Sequence, residues 1–313
     1  MARGRASPGC SRRIARSSRR RGVTRGRCRR TGAGPSGLSV PHERLVTAGE
    51  ERDCERRCDS SRAGGLGVSQ GWLNGTLVGF DLETTGTDPR EARIVTAAVI
   101  ATREGDPVAR REWLADPGVP IPDEAAAIHG ISTARAVAEG RPAAAVADDI
   151  AEVLVGHWRA GAAVVAYNAA FDLSLLTAEL ARHGLPSLAE RLGAGSEPGP
   201  VIDPLTIDRA VDRYRKGKRT LEAACVEYGV PLSAAHNATA DALAAVRVAR
   251  AIAERHPEVG EAAAWDLHRW QVGWYADWAA GYRHWLQRQG RTPAETSAID
   301  GAWPLRSLSG SES

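Results

Sequence analysis

The sequence predicts an α/β fold in which a mixed β-sheet carries helices on its faces. Two observations lead to this class. Three short β-branched runs open the part of the chain that follows residue 72, and Ala-rich amphipathic stretches then alternate with further apolar runs. Leading strands joined by turns pair antiparallel, whereas strands separated by helices pair parallel, so the sheet is expected to be mixed.

Each predicted element follows from its apolar period and from the turn residues at its ends. The first three strands form an antiparallel meander, and a helix, a buried strand and a second helix closed by a glycine come next. A further strand and two helices complete the alternation. In order, the elements are strands 76–83, 94–103 and 108–115, helix 141–158, strand 162–168, helix 169–184, strand 200–205 and helices near 219–229 and 238–256.

Residues 1–72 are predicted to be disordered, because they are rich in Arg, Ser and Gly and show almost no apolar period. Residues 1–70 hold 17 of the 41 basic residues and 6 of the 38 acidic ones. A basic arm for nucleic acid and a transit peptide are two interpretations of such a segment. We favour an inert tail or a start codon assigned upstream of the true one, because Lys is almost absent and Met1 is the sole Met, as in translated GC-rich DNA.

The rest of the chain holds 24 basic and 32 acidic residues, a net charge of −8, so a broadly basic surface for nucleic acid is not expected there. No apolar run reaches the roughly 18 to 20 residues of a membrane span, and the first residues lack the apolar core of a signal peptide. Four of the five cysteines lie before residue 70, which leaves no readable disulfide framework. We expect a cytoplasmic protein without membrane contact.

Residues 257–313 are predicted to form a Trp-rich helical extension with a frayed tail. The aromatic residues of the extension recur mainly at intervals of four and therefore share a helix face. They are Trp265, Trp270, Trp274, Tyr275, Trp278, Tyr282 and Trp285. A face of this kind packs against its own domain or binds a partner, and we favour the first interpretation.

Two acids stand at the end of the first strand, in the stretch VGFDLETTG at residues 78–86. Asp81 and Glu83 point to the same face, because successive side chains of a strand alternate between its faces. Two like charges placed in this way repel each other, so a cation is their natural partner. A solvated strand edge also explains a single pair of acids, and further acids are needed to decide.

Two other stretches supply further acids. Asp172 lies in the first turn of a helix after a buried strand, where open α/β sheets bind ligands and where an acid also complements the helix dipole. His236 and Asp241 stand five residues apart at the start of another helix, so both can face one cleft. With Asp81 and Glu83, these residues make a set of four acids and one histidine.

Three motifs of the chain resemble those of the DEDDh family of 3′-to-5′ exonucleases. They are D-x-E-T-T-G at 81–86, N-A-x-F-D at 168–172 and H-x4-D at 236–241. The resemblance covers residues 76–256 and is closest to the proofreading epsilon subunit of bacterial DNA polymerase III and its stand-alone relatives. It implies an exonuclease domain over residues 73–256, with a ribonuclease-H-like fold and a central mixed five-stranded sheet flanked by helices.

The resemblance also implies a hydrolytic centre with two Mg²⁺ or Mn²⁺ ions. Asp81, Glu83 and Asp241 would hold the tighter ion, while Asp81 bridges to the second ion and Asp172 supports it directly or through water. Hard cations take oxygen ligands, and two of them stabilise the attacking and leaving oxygens of a phosphodiester displacement. His236 would be the general base, since an imidazole is suited to accepting a proton near neutral pH.

Substrate contacts are expected on the loops around the acids. The candidates are Thr84, Thr85, His129, Asn168 and Phe171. His129 belongs to the stretch IPDEAAAIHGIS, which resembles the family's H-G-I loop near the terminal nucleotide, and a loop histidine of structural use is the other interpretation. The basic cluster DRYRKGKRT at 212–220 is the candidate for binding the phosphate backbone, through Lys216, Lys218 and Arg219, and a solvated charged loop is the other interpretation.

The implied activity is metal-dependent removal of nucleoside monophosphates from the 3′ end of single-stranded or frayed DNA, in proofreading, repair or degradation. RNA exonucleases of the same superfamily use the same centre, so an RNA substrate stays open. A non-catalytic binding module is a third interpretation, which the presence of every acid and the histidine disfavours. No segment of the type that recruits a sliding clamp follows residue 256, so a free-standing enzyme and a subunit associated with a DNA polymerase both stay open.

Overall fold

The computed structural model describes residues 71–232, 236–297 and 299–307 of the chain. The N-terminal segment that the sequence predicts to be disordered lies outside the described residues, except for its last two, and so do the last residues of the predicted frayed tail. Trp72 stands in a 3₁₀ turn and is buried, and its indole Nε1 donates a 2.8 Å hydrogen bond to the Val259 carbonyl. The folded part therefore includes Trp72, one residue before the predicted boundary.

The described residues form a mixed sheet of six strands. They are β1 (Leu77–Thr84), β2 (Ile94–Arg103), β3 (Asp106–Asp116), β4 (Arg141–Pro142), β5 (Ala163–Val165) and β6 (Val201–Ile202). Their order across the sheet is β4–β3–β2–β1–β5–β6. The antiparallel meander of β1, β2 and β3 and the parallel pairs β1–β5 and β5–β6 confirm the predicted five-stranded mixed sheet. β4 adds two residues parallel to the end of β3, where the sequence predicts the start of a helix.

Helices connect the strands and follow them toward the C-terminus. They are α1 (Asp123–His129), α2 (Thr133–Glu139), α3 (Ala143–Arg159), α4 (Ala169–Arg182), α5 (Leu188–Leu192), α6 (Pro204–Val211), α7 (Leu221–Tyr228), α8 (Ala238–Arg255), α9 (Pro257–Gly260), α10 (Ala264–Arg288) and α11 (Pro293–Ser297). The short helices α1, α2 and α5 were not predicted, because their 5 to 7 residues give little apolar period. The predicted strand 200–205 ends at Ile202, because Asp203 caps α6 and Pro204 occupies its first turn.

The side chains of β1 alternate between two apolar cores. Val78 and Phe80 are buried in the core that α3 and α4 complete. Leu77 is buried in the other core, to which α6, α7 and α8 contribute. Asp81 and Glu83 therefore point to the same face as Leu77, which α8 covers, and the register between β1 and β2 shifts just after Glu83.

Gly79 lets β1 and α8 approach each other closely. A β-carbon at this position would lie 2.9 Å from the carbonyl carbon of Ala242 and 3.1 Å from Cγ2 of Val246, and nearer still to the Ala242 oxygen. Backbone atoms of a helix cannot turn aside as a flexible side chain does. Because Asp81 follows Gly79 by two residues and Asp241 precedes Ala242, this contact sets the separation of the strand and the helix at the two acids.

α10 packs back on the domain, as the sequence favours. The buried positions of the helix are Leu267, His268, Gln271, Tyr275 and Ala279. Trp303, near the C-terminal end of the described residues, is also buried and lies 5.0 Å from the His268 ring. Trp270, Tyr282 and Trp285 stay partly exposed, so part of the aromatic face is not covered by the described residues. None of the described helices is long and apolar enough to cross a membrane.

We expect Gly79→Ala to lower the free energy of unfolding by about 1–3 kcal/mol, because the added methyl group forces β1 and α8 apart. Urea unfolding followed by circular dichroism measures the change. Gly156→Ala is the matched control, because Gly156 lies inside α3 and a β-carbon there meets no atom within 4 Å. This control should be up to about 1 kcal/mol more stable than the native chain. Equal unfolding midpoints for Gly79→Ala and the native chain would contradict the close approach.

Candidate functional site

Three predicted acids converge at the carboxyl end of β1. Asp81 and Glu83 come from the last residues of the strand, and Asp241 comes from the first turn of α8. One carboxylate oxygen from each of the three residues lies within 4.8 Å of those of the other two. The sequence spacing is 158 residues between Glu83 and Asp241, so only the fold brings these acids together.

Asp172 completes the group from the first turn of α4. Its side chain is buried, and its Oδ1 accepts a 3.1 Å hydrogen bond from the backbone N–H of Leu82, the residue between Asp81 and Glu83. This hydrogen bond ties the start of α4 to the strand that carries the other acids. We call Asp81, Glu83, Asp172 and Asp241 the acidic cluster.

The acidic cluster is electrostatically unfavourable when its carboxylates are all charged. Burial, and then the nearby charges of Asp172, Glu83 and Asp241, raise the pKa of Asp81 well above its ordinary value. Burial and Asp241 raise the pKa of Glu83 to about 7. Burial also raises the pKa of Asp241 to about 6, against the opposing effect of the His236 N–H. A divalent cation is the kind of ligand that relieves such repulsion.

The donor set fits a divalent metal ion. Asp241 Oδ2 accepts a 2.9 Å hydrogen bond from the backbone N–H of His236, while its Oδ1 is buried and has no hydrogen-bond partner among the described residues. Buried polar atoms without a partner are rare, and a cation at this oxygen would satisfy it. Carboxylate oxygens are the ligands that Mg²⁺ and Mn²⁺ prefer.

His236 stands beside the acidic cluster with its ring half-exposed. Its backbone has φ 63°, a left-handed conformation that few residues other than glycine adopt. The ring atom Nε2 lies 3.4 Å from Oε1 of Glu222, at the start of α7. Glu222 was not among the predicted site residues, because nothing in the local pattern of α7 indicates this long-range pair.

Asp203 is a second functional candidate that sequence reasoning missed. It is fully buried, and its Oδ1 accepts a 2.9 Å hydrogen bond from the backbone N–H of Asn168. Asn168 has φ 68° and caps α4, so this hydrogen bond holds the left-handed turn that presents Asp172. The Asp203–Pro204 pair was a usable signal, because it is typical of a helix N-cap rather than a strand.

The predicted substrate residues that follow β1 lie in a tight turn. Thr84 Oγ1 donates a 2.8 Å hydrogen bond to the Gly86 carbonyl, and Thr85 pairs with Arg93 through its N–H and Oγ1. His129 ends α1 beside the Thr84 backbone rather than lying in a loop, and burial lowers the pKa of its imidazole. Its Nε2 is buried without a hydrogen-bond partner among the described residues.

Phe171 packs against the core, whereas the lysines of the basic cluster are exposed. Phe171 is half-buried against the core in the first turn of α4, next to Asp172. Lys216 and Lys218 are exposed between α6 and α7. Arg219, which the sequence predicts to contact phosphate, instead binds the buried carboxylate of Asp208.

This ion pair corrects the expectation for Arg219, because an unpaired buried Asp208 would be costly. Asp208 also accepts hydrogen bonds from Arg215 at 2.6 Å and from the Tyr228 hydroxyl at 2.7 Å. Arg215 and Arg219, two of the three arginines of the basic cluster, thus stabilise the turn between α6 and α7. Of the three residues predicted to contact phosphate, Lys216 and Lys218 are therefore the exposed ones.

The chain matches the family model RNase_T, described as an exonuclease, over residues 78–249. Its curated relatives include the PolC-type DNA polymerase III of Halalkalibacterium halodurans, 28% identical over 170 residues, and that of Streptococcus thermophilus, 31% identical over 174 residues. These alignments cover 54% and 55% of this chain but 11% of each relative. The matched part thus spans about a tenth of the length of these relatives.

Solved structures of exonuclease I share the fold. One structure of this enzyme has a TM-score of 0.52 and 23% sequence identity, and it covers 60% of this chain and 42% of that chain. The E. coli enzyme in complex with a dA16 oligonucleotide has a TM-score of 0.51 and 22% identity, with the same coverage of 60% and 42%. The likeness confirms the predicted ribonuclease-H-like architecture.

We expect Glu83→Gln to raise the melting temperature at pH 8 in the absence of divalent cations, and to leave it nearly unchanged at pH 5. The pKa of Glu83 is about 7 in the folded protein and 4.5 ordinarily, so the folded state favours the protonated carboxyl. That contribution to stability is complete below about pH 4.5 and is lost as the pH rises through about 7. Glutamine imitates the protonated group at every pH.

Thermal unfolding in EDTA at the two pH values measures this effect. Glu261→Gln is the control, because Glu261 is exposed at the end of α9 and lies outside the acidic cluster. Adding Mg²⁺ at pH 8 should stabilise the native chain more than Glu83→Gln, which lacks one carboxylate ligand. A shift of equal size at pH 5 and pH 8 would rule out the proposed protonation of Glu83.

Proposed function

The chain belongs to the RNase_T family of exonucleases, and from this premise we propose that it is a metal-dependent 3′-to-5′ exonuclease. It hydrolyses phosphodiester bonds at the 3′ end of single-stranded or frayed DNA and releases nucleoside monophosphates. The observation that carries the proposal is the convergence of Asp81, Glu83 and Asp241, whose carboxylate oxygens lie within 4.8 Å of one another. The buried Oδ1 of Asp241 has no hydrogen-bond partner among the described residues. DNA is favoured as substrate because the curated relatives are DNA polymerases.

The acidic cluster would hold two Mg²⁺ or Mn²⁺ ions. Asp81, Glu83 and Asp241 would bind one ion, and Asp172 would help to hold the other. When bound, the ions supply Lewis-acid activation of the attacking water and stabilise the leaving 3′ oxygen. The carboxylates give up their retained protons to bind cations, which is why metal affinity should increase with pH.

His236 accepts the proton of the attacking water. Glu222 Oε1 lies 3.4 Å from Nε2, so this carboxylate orients the ring and stabilises it once protonated. Nδ1 is then the ring nitrogen that takes the proton. Half-exposure of the imidazole and the left-handed backbone at His236 are consistent with a residue that adjusts to bound substrate.

The terminal nucleotide would bind between the turn after β1 and the start of α4. His129 Nε2 is buried without a partner among the described residues and can donate to a substrate oxygen beside Thr84. Thr85, Asn168 and Phe171 line the same region by position, and Phe171 offers a ring face to a base. Lys216 and Lys218 neutralise backbone phosphates nearby.

The curated relatives also suggest association with a DNA polymerase, because their names are those of polymerases. The chain matches about a tenth of the length of such a relative. A free-standing enzyme and a subunit associated with a DNA polymerase both stay open, with proofreading, repair or degradation as the setting. Copurification with a polymerase from the source cell would argue for the associated form.

We expect Asp81→Ala to abolish hydrolysis of a 5′-labelled single-stranded DNA oligonucleotide in Mg²⁺ or Mn²⁺, and His236→Ala to slow it by about 10²- to 10⁴-fold. A gel time course of the native chain should show a ladder of products that shortens from the 3′ end. Asp106→Ala is the matched control, because Asp106 is an exposed acid that lies opposite Arg103 in the register of β2 and β3, at the other end of the sheet.

Comparable cleavage by Asp81→Ala and the native chain would refute the proposed centre. A matched RNA oligonucleotide run in parallel tests the substrate, and faster shortening of RNA would make the chain an RNA exonuclease. Oligonucleotide binding without hydrolysis in either metal would favour the non-catalytic module. A folded state equal to that of the native chain is checked for each variant by circular dichroism.

Removing both lysines of the basic cluster should weaken binding rather than chemistry. We expect KM for single-stranded DNA to be higher in the variant with Lys216→Ala and Lys218→Ala. The slope of the logarithm of the binding constant against the logarithm of the salt concentration should be smaller by about 0.7 for each phosphate that is no longer neutralised. Steady-state kinetics at several salt concentrations measure both quantities. Arg103→Ala, at the opposite end of the sheet, is the control, and an unchanged salt slope in the double variant would exclude these lysines from the binding site.

A further inference from the structure

Three aromatic rings on α10 form a ladder whose first ring packs against the domain core and whose other two are exposed. Trp278 and Tyr282 have ring centroids 5.5 Å apart and planes 10° apart, and Tyr282 and Trp285 have centroids 5.8 Å apart and planes 12° apart. The exposed fraction is 37% for Tyr282 and 46% for Trp285. We call Trp278, Tyr282 and Trp285 the aromatic ladder.

Other residues of α10 already attach the helix to the domain. Gln271 Nε2 donates a 3.0 Å hydrogen bond to the Val201 carbonyl, and Gln271 Oε1 accepts one of 2.6 Å from the Asp203 N–H. Leu267 and Tyr275 are buried on the same helix. The helix therefore docks without Tyr282 and Trp285, and large exposed rings at these positions favour a function in binding.

The ladder lies beyond the carboxyl ends of the parallel strands, the end of the sheet at which the acidic cluster lies. His268 contacts the start of β6 through the Val201 N–H, and Gln271 contacts its end at Asp203, so α10 runs in the same direction as β6. β6 is parallel to β5, and β5 is parallel to β1. From Gln271 to Trp285 the helix advances by about 21 Å, at about 1.5 Å per residue, past the carboxyl edge of the sheet.

The base of the ladder contacts the domain. Trp278 packs against the same apolar core as Phe171, the residue before Asp172. The Arg209 guanidinium lies 3.8 Å from the centroid of a Trp278 ring. The ladder therefore begins at the domain and ends at the exposed Trp285.

The charge around the ladder suits a polyanion. Residues 278–291 contain three arginines and one histidine, with Asp277 just before them, and Arg291 forms an ion pair with Glu295. Arg288 contacts His284 at 3.1 Å, and no acid of the described residues forms an ion pair with it. Cationic groups interleaved with flat aromatic rings are typical of surfaces that bind single-stranded nucleic acid.

We propose that the exposed end of the aromatic ladder, at Trp285, is a stacking platform for the bases of single-stranded nucleic acid on the 5′ side of the bond that is cleaved. This inference rests on the proposed function, which it deepens by adding a second contact for the substrate strand outside the acidic cluster. Bases of a duplex are covered by their neighbours, whereas unpaired bases offer the faces that indole and phenol rings bind. The platform accepts any base, so it selects strandedness and length rather than sequence.

The test compares two exposed tryptophans of the same helix in the full chain. Trp285→Ala should weaken binding of a single-stranded oligonucleotide of about 15 nucleotides by about tenfold, measured by fluorescence anisotropy in EDTA. Trp270→Ala is the matched control, because Trp270 is 42% exposed but lies 15 residues earlier on α10, before the aromatic ladder begins. Trp285→Phe should keep most of the binding, since it keeps a flat ring.

Length dependence gives a second readout. The ratio of kcat/KM for an oligonucleotide of about 15 nucleotides to that for one of about 3 nucleotides should fall about tenfold in Trp285→Ala and stay at the native value in Trp270→Ala. Equal effects of the two substitutions, or none from either, would overturn the platform.

Two further outcomes separate this inference from the proposed function. If the native chain hydrolyses no oligonucleotide but Trp285→Ala still weakens binding relative to Trp270→Ala, the exonuclease proposal fails and the platform is supported. If Trp285→Ala leaves oligonucleotide binding intact but abolishes self-association of the native chain in sedimentation, the ladder is a contact between copies of the chain and the platform is overturned.

Discussion

The mutual repulsion of carboxylates at the carboxyl end of β1 is the constraint on which the rest of the structure depends. Burial and neighbouring acids raise the pKa values of Asp81, Glu83 and Asp172, so the charged cluster opposes folding until protons or cations neutralise it. The two apolar cores on either side of β1 supply the stability that offsets this repulsion. Gly79 adds the close approach that keeps Asp241 of α8 within reach of the strand.

Backbone N–H groups orient the acids without using all their oxygens. Leu82 donates to one oxygen of Asp172 and His236 donates to one oxygen of Asp241, and each hydrogen bond favours the charged form of the carboxylate. The second oxygen of Asp241 is buried, and within the part of the chain that the structure describes it has no hydrogen-bond partner. A site organised in this way is held rigid before a cation arrives, so little conformational entropy is lost when the cation binds.

The order of apolar and polar residues along the chain predicted those features that depend on neighbouring residues alone, such as the bounds of a strand and the face to which its side chains point. The strand 94–103 was predicted with its observed bounds, and the alternation in β1 correctly put Asp81 and Glu83 on one face. Pairings between distant residues had no such signal: Asp208 with Arg219, Glu222 with His236 and Asp203 with Asn168 depend on the tertiary fold. The prediction for Arg219 was wrong for this reason, since an exposed-looking basic run gives no indication of a buried acid beside it.

One helix joins the turn that presents Asp172 to the aromatic surface beyond the sheet. Gln271 of α10 accepts the N–H of Asp203, and Asp203 in turn accepts the N–H of Asn168 at the start of α4. A shift of α10 would therefore move both the cap of α4 and the ladder that begins at Trp278. Because α10 is held by buried hydrogen bonds at Gln271 and by apolar burial at Tyr275, the aromatic ladder and the acidic cluster keep a fixed geometry relative to each other.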